Sequence, residues 1–378
     1  MIAGIPRETT PGEKRVSLVP ENISKLSGVQ ITMERGAGDP AGYPDSAYVE
    51  KGARIADDAR SLYGAADLVL KVMPPTPSEA GALKEGSTLI SFLYPLANIE
   101  TVQKLTARRT TVFAMELMPR ISRAQSMDAL SSQATLAGYK AVLIAADSLP
   151  KLFPLLMTAA GTIPAAKVFV VGAGVAGLQA IAAARRLGAI VEAYDVRPAV
   201  KEQVASLGAR FVELPVETKE AQDAGGYAKA QSEEFYMKQQ RLLAEHAQAS
   251  DVVITTALVP GQRAPQLISG EAVRGMRPGS VVVDLAAEQG GNCALTEPGK
   301  TVVKHGVTIH GPLNLPSTMA PQASQLYSRN ITSFLLTMLK NGSLTLDLKD
   351  ELIRGPLVIQ GGEVMHAPTK LALEQGRR

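Results

Sequence analysis

Cysteine and aromatic residues are scarce in this sequence. Of its 378 residues only Cys293 is a cysteine, none is a tryptophan, and aromatic residues make up 4%. One cysteine cannot form a disulfide within the chain and argues against a cysteine-based metal site. With few aromatic rings, the cores must consist of aliphatic side chains, as in the packed layers of parallel α/β proteins.

Long apolar runs and clusters of basic residues are absent as well. The most apolar stretch, residues 141–160, is interrupted by Asp147, Pro150, Lys151 and Pro154, so it falls short of the roughly 20 apolar residues of a membrane span. The first residues carry charges and contain no apolar segment of signal-peptide length. The net charge of +3, without a basic run, disfavours nucleic-acid binding. These absences predict a soluble protein without a nucleic-acid partner.

Short apolar runs alternate with helix-like segments in the first third of the chain, which predicts a parallel sheet covered by helices. The proline-free stretch from Ala124 to Leu149 predicts a long helix that leaves the first domain. The prolines of segment 150–166 indicate a linker. The predicted strands are Ile2–Ile5, Leu68–Val72, Thr88–Leu93 and Thr111–Met115.

A second α/β pattern follows, in which a β run over Lys167–Val171 precedes an alanine-rich helix over Val175–Leu187. Further predicted strands are Ile190–Val196, Asp251–Ala257, Val281–Leu285 and Val307–His310. We therefore predict an α/β fold of two Rossmann-like domains with mostly parallel sheets, joined by a long helix. The predicted regions are residues 1–125 with a returning segment 322–378, a linking helix and connection over 126–166, and a dinucleotide-binding domain over 167–321.

Three glycines in the run VVGAGVAG follow the G-x-G-x-x-G pattern of dinucleotide-binding turns. Gly172 permits a tight turn, Gly174 removes a Cβ that would clash with a pyrophosphate, and Gly177 lets helix and strand pack closely. The helix that follows offers N–H groups and the positive end of its dipole to the phosphates. The alternative is a glycine-rich turn in an ordinary α/β domain.

An acidic residue at the end of the next predicted strand supports the dinucleotide interpretation. Asp195 lies 23 residues after Gly172, where a carboxylate accepts hydrogen bonds from an adenosine ribose and repels a 2′-phosphate. Arg197 argues in the other direction, because an arginine near this position can accept a 2′-phosphate. Since Asp195 is at the strand tip, the sequence favours NAD over NADP.

A polar segment between a predicted strand and the long helix is the second candidate site. Arg120, Arg123, Gln125 and Asp128 lie within nine residues of one another. Such a density of polar groups suits the binding of a polar ligand at the carboxyl edge of a sheet. Composition alone equally allows a capped helix start that carries surface charges.

These segments, taken together, closely resemble a known family over essentially the whole chain. The NAD(H)-binding component, domain I, of proton-translocating NAD(P) transhydrogenase is similar in the runs PRISRAQSMDALSS, GAGVAGLQA, AGGYAK, TTALVPG and DLAAEQGGNC. The resemblance implies direct hydride transfer from NADH to NADP⁺ on a partner subunit, coupled to proton translocation. It also implies a membrane-spanning partner, an NADP(H)-binding partner, a homodimer, and a cytoplasmic location at the inner membrane through those partners.

Site residues follow from the matched motifs. The resemblance implies that Arg120, Gln125 and Asp128 surround the nicotinamide and are catalytic, and that Gly226 and Tyr227 belong to a loop that closes over the cofactor. NAD(H) is expected in the cleft between the two domains. The expected cofactor-binding residues are Ser131, Gly172, Ala173, Gly174, Val175, Gly177, Asp195, Val196, Arg197, Gly226, Tyr227, Gln239 and Leu258.

Two other functions remain open at this point, an alanine dehydrogenase-like enzyme and a non-catalytic NAD(H)-binding module. Arg15 and Lys71 match the positions at which alanine dehydrogenase, a more distant relative, holds its substrate. The catalytic histidine of that enzyme is Pro95 here, however, and its late aspartate is Glu288. Proline cannot transfer a proton, whereas hydride exchange between two nicotinamides needs no acid or base. The sequence therefore favours the transhydrogenase component.

No metal site is expected. His305 and His310 flank a predicted strand without cysteine or aspartate partners at ligand spacing. Cys293 follows two glycines and an asparagine, so we expect it to line a tight loop rather than act as a nucleophile.

Overall fold

A computed structural model describes residues 1–214, 233–258 and 263–375 of the chain. The chain divides into two compact units. The first unit comprises Met1–Gln133 and Pro316–Arg378, and the second unit comprises Ala134–Leu315. Residues 126–166, predicted as a linking region, are thus divided between the two units.

The strands of both units are numbered in chain order. They are β1 (Ile2–Ile5), β2 (Gln30–Glu34), β3 (Arg54–Ala56), β4 (Leu68–Leu70), β5 (Thr88–Ser91), β6 (Thr111–Ala114), β7 (Leu156–Thr158), β8 (Gly161–Ile163), β9 (Lys167–Val171), β10 (Ile190–Tyr194), β11 (Arg210–Phe211), β12 (Val252–Thr255), β13 (Val281–Asp284), β14 (Thr301–Lys304), β15 (Val307–His310), β16 (Leu339–Lys340), β17 (Ser343–Leu344), β18 (Leu357–Gln360) and β19 (Glu363–Val364).

The α-helices are numbered in the same way. They are α1 (Pro20–Ile23), α2 (Asp45–Glu50), α3 (Ala59–Ala65), α4 (Pro77–Ala82), α5 (Ile99–Ala107), α6 (Ala129–Ser148), α7 (Val175–Arg186), α8 (Lys201–Ser206), α9 (Glu233–Gln248), α10 (Gly270–Arg274), α11 (Ala320–Met338), α12 (Glu351–Arg354) and α13 (Ala367–Gln375). Short 3₁₀ segments lie between them, including Ser122–Met127 just before α6.

The first unit is built on a sheet with the strand order β19-β18-β6-β5-β4-β1-β2-β3. The strands from β6 to β3 are parallel, whereas β18 and β19 are antiparallel additions from the end of the chain. Every residue of β4 is buried, as expected for a central parallel strand with both faces covered. The late segment thus completes the sheet that the first residues begin.

The second unit has the strand order β11-β10-β9-β12-β13-β15-β14. From β11 to β15 the strands are parallel, and they follow the order of a doubly wound dinucleotide-binding fold. All residues of β12 and β13 are buried, because apolar clusters cover both faces of the sheet. The order reverses between β9 and β12, and ligands bind beyond the carboxyl ends of the strands at such a point.

The predicted α/β class with mostly parallel sheets is confirmed, and the differences concern particular elements. The long helix begins at Ala129 rather than at Ala124, because Asp128 caps it and the residues before form a 3₁₀ segment. Within the predicted linker, β7 and β8 form an antiparallel hairpin. The strands β2 and β3 were not predicted, since their residues mix polar and apolar side chains.

Two further observations concern the described residues only. No helix among them combines the length and the apolar character that crossing a membrane requires. Within the same ranges, histidine, cysteine and acidic side chains do not gather into groups that could hold a metal ion.

Candidate functional site

The turn between β9 and α7 has a backbone that only glycine fits well. Gly172 has φ +99°, a conformation that side chains with a Cβ rarely adopt. A Cβ on Gly172 would also lie 2.6 Å from Thr256 Oγ1. At Gly177 a Cβ would come within 1.9 Å of the Gly172 carbonyl oxygen, so the first turn of α7 packs directly on the loop.

Gly174 differs from these two glycines, because no atom of the described residues lies within 4 Å of the place where its Cβ would stand. It is the N-cap of α7, and no side chain caps the helix there. The first N–H groups of a helix have no partner within the helix, and the helix dipole favours negative charge at this end. Gly174 therefore combines room for a ligand with backbone N–H donors at the start of α7, and a pyrophosphate requires both.

Asp195 follows the end of β10 and is held beside the glycine turn. Its Oδ2 accepts a hydrogen bond from the Ala173 N–H at 2.8 Å. The guanidinium of Arg197 binds both carboxylate oxygens, from Nε to Oδ1 and from Nη2 to Oδ2, each at 2.8 Å. The side chain of Arg197 thus folds back onto Asp195. The positive charge of Arg197, which could bind a 2′-phosphate, is neutralised by Asp195, whose negative charge would repel that phosphate.

The other cofactor-binding residues predicted in the second unit are placed as follows. Val175 and Leu258 are partly exposed at the start of α7 and after β12, and Val196 is half-buried. Gln239 is buried on α9 and donates from Nε2 to the Tyr194 hydroxyl at 2.9 Å, which ties α9 to the end of β10. Gly226 and Tyr227 lie outside the described residues.

The polar segment of the first unit is a 3₁₀ segment followed by a capped helix. Arg120 and Gln125 are exposed. The carboxylate of Asp128 accepts from the Ser131 N–H at 2.9 Å and from its hydroxyl at 2.5 Å, which caps α6. Asp128 and Ser131 therefore have a structural role in the helix start, and Arg120 and Gln125 present their side chains at the surface.

Two residues around this segment, Arg123 and Asn330, make contacts that could not be deduced from the sequence. Arg123, one of the four clustered polar residues, pairs with Asp350 at 2.8 Å. Asn330 on α11 donates to the Ser126 carbonyl at 2.9 Å, and its Oδ1 accepts from the Ser132 hydroxyl at 2.7 Å. Asn330 therefore fixes the position of the 3₁₀ segment relative to α6.

Gly138 is a residue of the second unit that the sequence analysis missed. A Cβ there would lie 2.1 Å from the carbonyl oxygen of Ala176, a backbone atom that cannot move aside alone. Gly138 thus lets α6 approach the first turn of α7, the helix that begins at the glycine turn. A glycine within a helix is unfavourable by itself, and this was the only signal in the sequence.

The two cations that match the alanine dehydrogenase substrate site are both paired within the first unit. Arg15 donates from Nε to Glu13 Oε1 at 2.8 Å, from Nη2 to Glu13 Oε2 at 2.6 Å and from Nη1 to Gln133 Oε1 at 2.9 Å. Lys71 lies 3.4 Å from a carboxylate oxygen of Glu8 and 3.4 Å from one of Glu79. All these carboxylates are mostly buried. Their charges balance the cations that would otherwise hold a substrate carboxylate.

The acid–base positions of that enzyme have other roles here. Pro95 is buried. Glu288 accepts a short hydrogen bond of 2.5 Å from the N–H of Asn314, a residue with φ +47°. A carboxylate engaged with the backbone in this way is a poor match for the base of a keto-acid reaction.

Two further side chains of the second unit, a histidine and the cysteine, are structural. His310 lies between Ser148 and Thr301, whose hydroxyls are each 2.9 Å from a ring nitrogen, and burial lowers its pKa. Cys293 is buried in the loop after β13, where burial raises the pKa of its thiol, so the reactive thiolate is disfavoured.

The doubly wound order of the second unit and the glycine turn at its switch point define an α/β protein with a Rossmann-type unit. The chain belongs to the alanine dehydrogenase/PNT family. Residues 4–137 match the family's "Alanine dehydrogenase/PNT, N-terminal domain", and residues 141–367 match its "Alanine dehydrogenase/PNT, C-terminal domain". The family resemblance recognised from the sequence motifs is thereby confirmed.

Within this family the chain is more similar to transhydrogenase subunits than to alanine dehydrogenases. It is 50% identical over 376 residues to the first part of the NAD(P) transhydrogenase alpha subunit of Rhodospirillum rubrum, covering 97% of this chain and 98% of that protein. The structure of a transhydrogenase from Sinorhizobium meliloti matches with a TM-score of 0.85 and 45% identity, covering 97% and 100% of the two chains. "Alanine dehydrogenase 2" of Staphylococcus aureus is 32% identical over 353 residues, covering 90% and 88%.

Proposed function

We propose that this chain is the NAD(H)-binding component of a proton-translocating NAD(P) transhydrogenase, and that it passes hydride from NADH directly to NADP⁺ bound on a partner subunit. One observation carries the proposal: a glycine turn with open space at Gly174 lies beside the strand-end carboxylate of Asp195, in a chain with transhydrogenase subunits among its relatives. Phosphates would lie against the N–H groups at the start of α7.

The Arg120–Gln125–Asp128 segment is proposed to position the dihydronicotinamide. Arg120 and Gln125 are exposed and offer a cation and an amide to a polar ligand, while Asp128 holds the helix start from which they are presented. NADH supplies the hydride, and the task left to these side chains is to orient the ring. Orientation matters because reacting atoms must approach to about 3–3.5 Å for efficient transfer.

The chain is unsuited to proton transfer at the positions that alanine dehydrogenase uses. Pro95 has no group to donate, and Glu288 is bound to the Asn314 N–H. Arg15 and Lys71 are paired with carboxylates of the chain itself. Hydride exchange between two nicotinamides does not require an acid or a base at these positions, because it moves no proton.

The remaining partners follow from the same proposal. The Rhodospirillum rubrum relative is named as one portion of one subunit, which implies further components. We propose an NADP(H)-binding component as hydride acceptor and a membrane-spanning component that couples transfer to proton movement. The chain would then lie on the cytoplasmic side of the inner membrane, attached through those components.

The experiment that tests the proposal mixes the purified chain with the NADP(H)-binding component of a transhydrogenase and follows NADH oxidation. We expect oxidation only when both proteins and an NADP⁺ analogue are present. No oxidation would favour a non-catalytic NAD(H)-binding module. Reduction of NAD⁺ by L-alanine with the chain alone would instead establish the alanine dehydrogenase-like alternative, which the 32% identity to such an enzyme keeps in view.

Cofactor selectivity provides a prediction that depends on the Asp195–Arg197 pair. The unmodified chain should bind NADH more tightly than NADPH, because Asp195 repels a 2′-phosphate and occupies Arg197. Asp195→Ala should narrow or invert this preference, since it removes the repulsion and releases Arg197 to pair with the phosphate. The measurement is a fluorescence titration with each reduced nucleotide.

The double variant Asp195→Ala/Arg197→Ala is the control for this prediction. It lacks the released cation, so its NADPH affinity should be weaker than that of Asp195→Ala alone. Equal affinity of the unmodified chain for NADH and NADPH would refute the assigned role of Asp195.

The homodimer implied by the family resemblance has a candidate surface in the β7–β8 hairpin. The hairpin pairs with no other described strand, and all of its residues are exposed. Leu156 lies opposite Ile163, and Met157 is 73% exposed. An isolated two-stranded hairpin is marginally stable by itself. We therefore propose that a second copy of the chain covers its apolar side chains.

Met157→Asp is expected to shift the chain from dimer to monomer at micromolar concentration, as measured by sedimentation velocity, because it would bury a charge in an apolar contact. Val303→Asp is the matched control, since Val303 is 65% exposed on the edge strand β14. A monomeric unmodified chain, or an unchanged dimer in Met157→Asp, would contradict this assignment.

A further inference from the structure

Thr255, the last residue of β12, and the two residues after it are each held by a different group. The Thr255 hydroxyl donates to Asp284 Oδ1 at 2.9 Å. The Thr256 hydroxyl donates to the carbonyl of Gly172 at 2.9 Å, which ties this segment to the dinucleotide turn. Ala257 is held through its backbone by Asn292. The segment Thr255–Ala257 therefore supports the turn that we propose to bind the pyrophosphate.

Asn292 makes contacts that no other side chain of its size could reproduce. Its Oδ1 accepts from the Ala257 N–H at 2.9 Å, and its Nδ2 donates to the Ala257 carbonyl at 2.9 Å and the Pro265 carbonyl at 2.8 Å. The residue is fully buried. Both ends of the amide are thus used, and an amide presents a donor and an acceptor side by side as this pairing requires.

The loop that carries Asn292 is itself fixed by Asp284. Oδ1 of this buried carboxylate accepts from the Ala286 N–H at 3.0 Å, and Oδ2 accepts from the Cys293 N–H at 3.0 Å and the Thr296 hydroxyl at 2.7 Å. Gly291 closes the turn with φ +81°. One carboxylate therefore anchors both the loop after β13 and, through Thr255, the end of β12.

We infer that Asn292 is a positioning residue for nucleotide binding, acting through Ala257 and Thr256 on the Gly172 turn. It lies in the loop after β13, and its side chain is connected to the dinucleotide turn through these two residues. Without its amide, the backbone at Ala257 loses its partners, and the Thr256 hydroxyl no longer meets the Gly172 carbonyl in the same place. The phosphate-binding N–H groups would then be less well organised before the ligand arrives, which lowers affinity.

The inference rests on the proposed binding of NAD(H), and Asn292→Asp tests it with almost no change in shape. The new carboxylate can still accept from the Ala257 N–H, but it faces the Ala257 and Pro265 carbonyls without a proton to donate. We expect NADH affinity about tenfold or more below that of the unmodified chain when the new carboxyl is ionised, because a carboxylate cannot pair with the two carbonyls and the backbone at Ala257 must move away from it.

Measuring the NADH affinity of Asn292→Asp at lower pH distinguishes a loss of the Asn292 hydrogen bonds from general disruption of the fold. As the pH is lowered, protonation of this buried carboxyl, whose pKa is raised by burial, restores one O–H donor. The affinity of Asn292→Asp should therefore recover by several-fold, while that of the unmodified chain should stay nearly constant. A low affinity that does not recover, or an affinity that never fell, would overturn the inference.

Two further variants complete the test. Asn22→Asp is the matched control, because Asn22 is a buried amide of the first unit that donates to Ser328. Its NADH affinity should not change. If Asn292→Asp does not fold, Thr256→Val takes its place, and unchanged NADH affinity in that variant would equally overturn the inference. Failure of the unmodified chain to bind NADH would refute the proposed function instead, so the two failures are distinguishable.

Discussion

Gly174→Ala is expected to weaken NADH binding by roughly 10- to 100-fold while leaving the fold unchanged. Within the described part of the chain nothing lies within 4 Å of the added Cβ, so the variant should fold like the unmodified chain. The methyl group would occupy the space proposed for the pyrophosphate, and overpacking of this kind costs about 1–3 kcal/mol. The measurement is an NADH titration beside a thermal unfolding curve for each protein.

Gly64→Ala is the matched control, because a Cβ at this helical position of the first unit also meets no described atom within 4 Å. Its NADH affinity should equal that of the unmodified chain. Gly177→Ala should instead distort the turn, because its Cβ would clash with the Gly172 carbonyl oxygen. Full NADH affinity in Gly174→Ala would show that the pyrophosphate does not bind at the start of α7.

Gln125→Asn is expected to lower the rate of hydride transfer by about 100-fold while changing NADH affinity only a few-fold. The substitution keeps the amide but shortens its reach by one methylene. Most contact with the nucleotide is proposed at Gly172–Val175 and Asp195, so binding should survive. A displacement of about 1 Å at the reacting ring can cost about 100-fold in rate. Single-turnover transfer in the reconstituted complex measures this directly.

Arg123→Gln is the control from the same 3₁₀ segment. Arg123 is exposed and pairs with Asp350, so its loss should leave the transfer rate nearly unchanged. Unchanged transfer in Gln125→Asn would mean that the segment is only a capped helix start. Equal losses in both variants would instead point to disruption of the segment as a whole.

Local sequence patterns were sufficient for much of the fold. The bounds of β1, β9 and β15 agree with the predicted strands residue for residue, and β1 and β9 are short, mostly apolar runs. β2 and β3 escaped prediction because strands near the edge of a sheet are only half-buried and need not be apolar. Their place in the sheet is set by tertiary pairing with β1, which a local pattern does not contain.

The candidate site likewise contains residues that the sequence predicts and residues that it does not. The roles of Gly172 and Gly177 follow from a motif whose spacing reflects a fixed backbone geometry, and the structure places both glycines as that geometry requires. Asn292 contacts Ala257, and Gly138 contacts Ala176, across long sequence separations, so the sequence does not show what either residue contacts. The sequence allowed either a ligand site or a capped helix start around Asp128. The two are compatible, because a residue that caps a helix can also border a ligand site.

Direct transfer between two nicotinamides is the central claim, and the fate of the transferred hydrogen tests it most directly. The chain is mixed with the NADP(H)-binding component, an NADP⁺ analogue and NADH that carries deuterium at the transferring position of C4, in ordinary water. The account predicts that the reduced analogue contains the deuterium in full, because hydride passes from carbon to carbon without a protein acid or base. A product that carries hydrogen from the solvent, or no product at all, would contradict the account.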